Sequence, residues 1–141
     1  MNVNVLAAAI LGPMDARDSA AALEETIERY NAAWNDHDVD AILAFHAPGM
    51  VFENHTAGDR VDGDDVGPHI ARIFESAPDL AFRSRRLYAR DGLVVSEWTA
   101  TATRDGVLVE WDGIDVFPFE NGLILRKDVY SSSHRPRVLD V

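Results

Sequence analysis

The stretch MVFENHTAGD, Met50 to Asp59, runs an apolar strand into a turn and ends it in three polar side chains, Glu53, Asn54 and His55. Glu53 and His55 can each carry a proton, whereas the amide between them cannot act as a base near neutral pH. Alternation along a strand puts Glu53 and His55 on one face and Asn54 on the other. Asn54 then either caps the turn that opens at HTAGD or orients a carbonyl or a water. His55 is free to swing toward the Asn54 face once the turn begins.

A second group able to do chemistry is Asp115 in WDGIDVFPF, which alternation aligns with Gly113, Phe117 and Phe119. If that face is buried, desolvation among aromatic rings raises the carboxyl pKa and keeps the acid protonated as a hydrogen-bond donor. If it is the solvent face, Asp115 is an exposed edge residue. Tyr30 and Trp34 share the apolar stripe of one helix. There Tyr30 is either a core tyrosine with a partner for its hydroxyl or a donor in a site, and Trp34 packs the core or walls a substrate. The five histidines are scattered and none forms the helical His-Glu-x-x-His pattern of a zinc protease. Glu53 and His55 alone could face a metal together, and such a pair is ordinarily a hydrogen-bonded surface pair, so no metal is expected.

These residues need elements to hold them. From Asp18 or Ser19 as N-cap, Leu23, Ile27, Tyr30 and Trp34 form one stripe of a long helix. A short second helix carries Val39, Ile42, Leu43 and His46 until Pro48 and Gly49 stop it, and a first strand follows over Met50 to Asn54. A third helix, capped by Asp64 or Asp65, turns Val66, Ile70, Ile73 and Phe74 inward, with Pro68 tolerated in its first turn and Pro78 marking its end. The pattern then becomes strands: Leu80 to Ala89, Leu93 to Arg104, Val107 to Phe119 and Leu123 to Ser133. They are separated by Asp91–Gly92, Asp105–Gly106 and Asn121–Gly122, whose turn type asks for positive φ at both positions. Helices first and an antiparallel meander second predict an α+β domain whose curved sheet buries one face against the helices.

Composition bounds the partners. A chain of 141 residues fits one domain. Its formal charge of -11 repels phosphate backbones and anionic headgroups, so neither nucleic acid nor a membrane surface is an expected partner. The absence of cysteine removes disulfides, thiolate metal sites and thiol nucleophiles. The opening MNVNVLAAAILGPM lacks the basic start and cleavage site of a signal peptide, and its apolar run is far short of the roughly 20 residues that cross a bilayer. Residues 1–17 are expected to be an extension that frays or covers an apolar edge, residues 18–134 the domain, and residues 135–141 a tail. A cytoplasmic protein is expected.

The segments ERYNAAWNDHDVDAILAFHAPGMVFEN, APDL, EWTATATRDG and DVFPFENGLILRKDVYS together resemble the nuclear-transport-factor-2-like superfamily, and within it the SnoaL-like polyketide-cyclase and ketosteroid-isomerase branches. The resemblance spans Leu23 to Ser133. It implies a cone-shaped α+β fold, a curved antiparallel sheet wrapped around three N-terminal helices, with no cofactor and a homodimer formed through the outer face of the sheet. Ketosteroid isomerase uses an Asp base with a Tyr and a protonated Asp at the oxyanion. That pattern falls on Tyr30 and Asp115, while the base falls on Asn54, which an amide cannot replace. The cyclase branch instead carries an acid/base Asp on the last strand. Here that strand offers Asp128, one residue early when counted from the Asn-Gly turn, so a bulge is required to face it inward. The Arg-x-Asp pattern of limonene epoxide hydrolase has no counterpart near WTA, which disfavours that triad.

The resemblance thus implies an enzyme that removes a proton beside the carbonyl of a hydrophobic compound, leading to cyclisation, isomerisation or elimination. Asp128, or His55 failing that, is the base. Tyr30, Asn54 and protonated Asp115 hold the enolate, and Trp34, Trp98, Phe117, Phe119 and Tyr130 contact the substrate. The alternative is a non-catalytic module of the same fold that binds an apolar ligand or dimerises. Polar groups converging on an open cavity favour the first, and a cone plugged by aromatic side chains the second.

Overall fold

The computed structural model describes residues 13–139. Three helices precede most of the sheet: α1 (Ala20–Asn35), α2 (Val39–Leu43) and α3 (Val66–Ser76). Ser19 caps α1 by accepting the Ala22 N–H, and Asp38 caps α2 by accepting the Ala41 N–H. Asp65 precedes α3 without a side-chain cap, because a 3-10 turn over Gly63–Asp65 leads directly into the helix. The strands are β1 (His46–Asn54), β2 (Asp59–Asp62), β3 (Ala81–Arg90), β4 (Leu93–Arg104), β5 (Val107–Glu120), β6 (Leu123–Ser131) and β7 (Arg137–Val138). They form one curved, unclosed sheet in the order β2-β1-β6-β5-β4-β3, with β7 paired to β5.

The four-strand meander β3 to β6 is antiparallel throughout. Two of its turns have positive φ at both central positions, Asp105–Gly106 and Asn121–Gly122, whereas in Asp91–Gly92 only the glycine does. The sheet as a whole is mixed, not antiparallel as expected, because β1 joins β6 in parallel. β1 also starts earlier than expected, at His46. Its ladder to β6 shifts register between His46 and Val51, where Gly49 has a φ of 73°. The short hairpin strand β2 was not foreseen, since DRVD has no apolar alternation. The expected tail supplies β7, and most of the expected extension lies outside the described residues.

The concave face packs on α1 and α3 through Leu23, Ile27, Trp34, Ile70 and Phe74 from the helices and Val94, Trp98, Trp111 and Phe117 from the sheet, all buried. The start of the domain is tied down by Asp18, whose buried carboxylate accepts the Asn121 and Gly122 N–H groups at 2.9 and 2.8 Å across the β5–β6 turn. None of the described helices is long and apolar enough to cross a membrane.

The decisive local feature is a bulge in β6. Phe119 pairs with Ile124, yet Val116 pairs with Asp128, so β6 spends one residue more than β5 over this interval. Side chains therefore change phase. Ile124, Lys127 and Val129 all turn to the concave side, while Asp128 and Tyr130 turn outward with their partners Val116 and Ile114.

Candidate active site

Between the sheet and the helices lies a cavity of about 470 Å³, walled by Trp34, Phe52, Phe82, Trp98 and Trp111, with His69, Ile73 and Leu80 from the α3 side. Asp59 and Arg104 also line it with exposed side chains, and two ionisable side chains of the wall are buried. Asp115 comes from β5 and Lys127 from β6, and Lys127 Nζ donates to Asp115 Oδ2 at 2.9 Å. They are 4% and 6% exposed, so the pair is removed from water. The bulge makes the contact possible: Asp115 faces Val129 in the ladder, and Lys127 reaches it diagonally from the next inward position.

Aromatic rings surround the ammonium. Nζ lies 4.8 Å from the Trp34 ring centre, 4.9 Å from Phe117, 5.3 Å from Tyr30 and 5.8 Å from Phe52, all within cation–π range. Burial pushes the Asp115 carboxyl above its ordinary range, and the neighbouring Lys127 opposes that rise without cancelling it. Asp115 Oδ1 and the indole nitrogens of Trp34 and Trp98 are buried with no hydrogen-bond partner among the described residues. Buried polar groups are rarely left so. Lys127, Asp115 and the indoles of Trp34 and Trp98 all line the cavity, and the Trp98 indole also acts on the Asp115 carboxyl, helping to hold its pKa down.

Trp98 holds its position through Gly113, its cross-strand partner, since a Cβ there would collide with the six-membered ring of the indole. A second cavity of about 260 Å³, beside α1 and β3, is lined by Glu28, Asn31, Asn35 and Ser84. It shares Trp34, Phe82, Trp98, Asp115 and Lys127 with the first, so the ion pair stands between them.

The other expected site residues divide by face. Asn54 lines the cavity, and its Oδ1 also accepts the Thr56 and Ala57 N–H groups at 3.1 and 3.0 Å, so it caps the turn as well. Phe117 is fully buried beneath Lys127 and meets Tyr30 edge-on at 5.6 Å, with Phe119 next to it at 6.5 Å. Neither phenylalanine lines the cavity. Tyr30 is also not in the cavity wall: its hydroxyl shares a 3.0 Å hydrogen bond with His46 Nε2, and burial raises its pKa. The pairing of Tyr30 with Asp115 about one oxygen is therefore replaced by pairs of Tyr30 with His46 and Asp115 with Lys127. Burial, together with the Lys127 charge, pushes His46 down to about 4.

Asp128, His55 and Tyr130 lie on the outer face, opposite the cavity. The bulge occurs, but its phase turns Lys127 inward and leaves Asp128 outside. There His55 Nε2 donates to Asp128 Oδ1 at 2.9 Å, and Arg126 Nη2 donates to Asp128 at 2.9 Å and Glu53 at 3.2 Å. Arg126 beside it, with His55, holds the Asp128 carboxyl below its usual value. His55 stacks on Tyr130 at 4.3 Å. His55 did not swing inward because Glu53 and Asp128 both hold it outside. Ligand atoms of Glu53, His55 and Asp128 come within 4.8 Å of one another, a spacing that could hold a metal, but the Arg126 guanidinium already supplies the positive charge there.

Lys127 is the buried cavity residue that the sequence does not single out; in LRKDVYS it looks like half of a surface ion pair. A signal was present. The chain has a single lysine against twelve arginines, so its surface cations are all arginine.

The sequence matches the SnoaL-like domain family over residues 27–127, and the chain belongs to that family. A comparison with curated proteins by sequence found no match. Solved structures share the fold. A SnoaL-like protein of unknown function from Burkholderia thailandensis is 22% identical with a TM-score of 0.67, over 82% of this chain and 98% of that one. SalBIII, an epoxide hydrolase/cyclase-like enzyme with a role in pyran ring formation in the polyether salinomycin, is 21% identical with a TM-score of 0.70, over 82% and 95%. A protein of ketosteroid isomerase-like fold from Catenulispora acidiphila, crystallised with trimethylamine, is 15% identical with a TM-score of 0.68, over 74% and 82%.

Proposed function

We propose that the protein is a cofactor-independent enzyme that removes a proton beside the carbonyl of a hydrophobic compound and stabilises the resulting enolate. The observation that carries this reading is the buried Lys127–Asp115 pair in the wall of an aromatic cavity, with one Asp115 oxygen left without a hydrogen-bond partner among the described residues. Asp115, inside the cavity, rather than Asp128 outside it, is the base in this reading. Its second oxygen is the base, its raised pKa lets it keep the proton and return it at another carbon, and the Lys127 ammonium lies where negative charge develops. The indole N–H groups of Trp34 and Trp98 are further donors toward the carbonyl oxygen. Family membership and a SnoaL-like fold shared with a cyclase-like enzyme support chemistry of this class. We also take the chain to act as a homodimer through the outer face of the sheet, where Ile114 and Tyr130 are exposed.

The test is deuterium incorporation beside the carbonyl of β-tetralone in heavy water, followed by NMR. Wild-type protein should accelerate exchange well above the buffer rate, and Asp115→Asn should lose about a hundredfold or more of that acceleration. Saturable binding of β-tetralone with exchange at the buffer rate would reduce the protein to a ligand-binding module.

A further inference from the structure

Lys127 is unusual in two independent respects. It is the only lysine of the chain, and it is buried in the cavity wall, whereas Arg104, the one arginine among the twelve that lines this cavity, is exposed at it. Arginine cannot be deprotonated in a protein, whereas lysine can lose its proton and become a nucleophile. A site that needed only fixed positive charge could use either residue. A site that needs an amine can use only lysine.

We propose that Lys127 forms a covalent iminium bond with an aldehyde or ketone bound in the cavity. The step rests on the carbonyl-compound reading above and makes the activated species an enamine. Lys127 passes a proton to the Asp115 carboxylate 2.9 Å away, and the neutral amine attacks the carbonyl carbon. A proton moves from nitrogen to oxygen to give the carbinolamine. Asp115 then protonates the hydroxyl, water leaves, and a C=N bond remains with one proton on nitrogen. In sum, an ammonium and a carbonyl become an iminium and one water, with no change in net charge. For that reason the same surroundings serve both states: the rings of Trp34, Phe117, Tyr30 and Phe52 and the Asp115 carboxylate stabilise an iminium cation as they do an ammonium.

Three further features fit this step. Burial raises the Asp115 pKa, which makes its carboxylate a better acceptor for the proton that must move before the attack. Trp34 and Trp98 line the cavity and their indole N–H groups have no hydrogen-bond partner among the described residues, so a small turn of either ring would let it hold the carbinolamine oxygen. The smaller cavity, with Glu28, Asn31, Asn35 and Ser84, meets the ion pair from the α1 side and gives the released water a polar place to go while the apolar substrate fills the larger one.

The experiment is reductive trapping with naphthaldehyde and sodium cyanoborohydride, read by intact mass and peptide mapping, with naphthaldehyde binding followed separately by quenching of indole fluorescence. One naphthylmethyl group per chain should appear on Lys127. It should be absent from Lys127→Arg, form at least about tenfold more slowly in Asp115→Asn, and be suppressed by methylnaphthalene, which has the shape of the aldehyde without its carbonyl. Protection by methylnaphthalene uses wild-type protein and so stands even if a variant fails to fold. Label confined to the N-terminal amine with saturable quenching would overturn the covalent step and leave the carbonyl-binding reading intact. No saturable quenching and no Lys127 label would overturn both. Lys127 labelling at an unchanged rate in folded Asp115→Asn would overturn the proton exchange on which the step depends.

Discussion

Lys127 Nζ lies 2.9 Å from Asp115 Oδ2 with both side chains almost fully buried, so each charge depends on the other. Removing one partner strands the other in an apolar wall. Lys127→Met or Asp115→Leu alone should each cost about 3–5 kcal/mol, while the double substitution should recover much of that loss, because two apolar side chains need no counter-charge. Urea unfolding of the four proteins forms a double-mutant cycle, and additive losses would show that the pair is not coupled.

Asp128 gives the opposite prediction. It belongs to the outer network of Arg126, His55 and Glu53, so Asp128→Asn should leave the affinity of the cavity for β-tetralone unchanged within error. The stability loss should be about 1 kcal/mol or less, as for partly exposed ion pairs. A large loss of ligand affinity in a folded Asp128→Asn protein would contradict its placement outside the cavity.

Gly113 is a steric requirement for the Trp98 wall. Gly113→Ala places a methyl group where the indole now lies, and a rigid ring inside a packed face cannot absorb the overlap. The expected result is a destabilisation of about 1–3 kcal/mol and a shifted indole emission maximum. Emission and stability both equal to wild type would show that the ring does not rest on Gly113.

His46 predicts a pH dependence whose sign can be worked out. Its pKa is about 4 in the folded protein against 6.5 ordinarily, so between these values the unfolded chain binds the extra proton. Its contribution to stability is complete above pH 6.5 and is lost as pH falls toward 4. Asp115, with a raised carboxyl pKa, contributes in the opposite direction, stabilising at low pH and losing that contribution as pH rises. The difference between wild type and His46→Gln isolates the histidine. Urea midpoints should fall more steeply with acidification in wild type than in His46→Gln over this window, and parallel curves would refute the assignment.

Much of the fold is set by local chemistry alone. Serine and aspartate caps, apolar spacing along α1 and α3, and Asp-Gly and Asn-Gly turns act within a few residues, so element order and the antiparallel meander are legible in the chain itself. Alternation likewise separates Asn54 from Glu53 and His55, and aligns Asp115 with Gly113 and Phe117. What the chain could not declare was where alternation breaks. A bulge in β6 arises from pairing with β5, and its single extra residue decides that Lys127 enters the cavity while Asp128 leaves it. The parallel union of β1 with β6, which seats Phe52 beside Lys127 and Glu53 beside Asp128, depends on segments more than seventy residues apart. The same holds for the pairing of Tyr30 with His46 across two elements. Side-chain facing follows a period of two within a strand, but the phase of that period is fixed by contacts between strands, and only the assembled sheet supplies them.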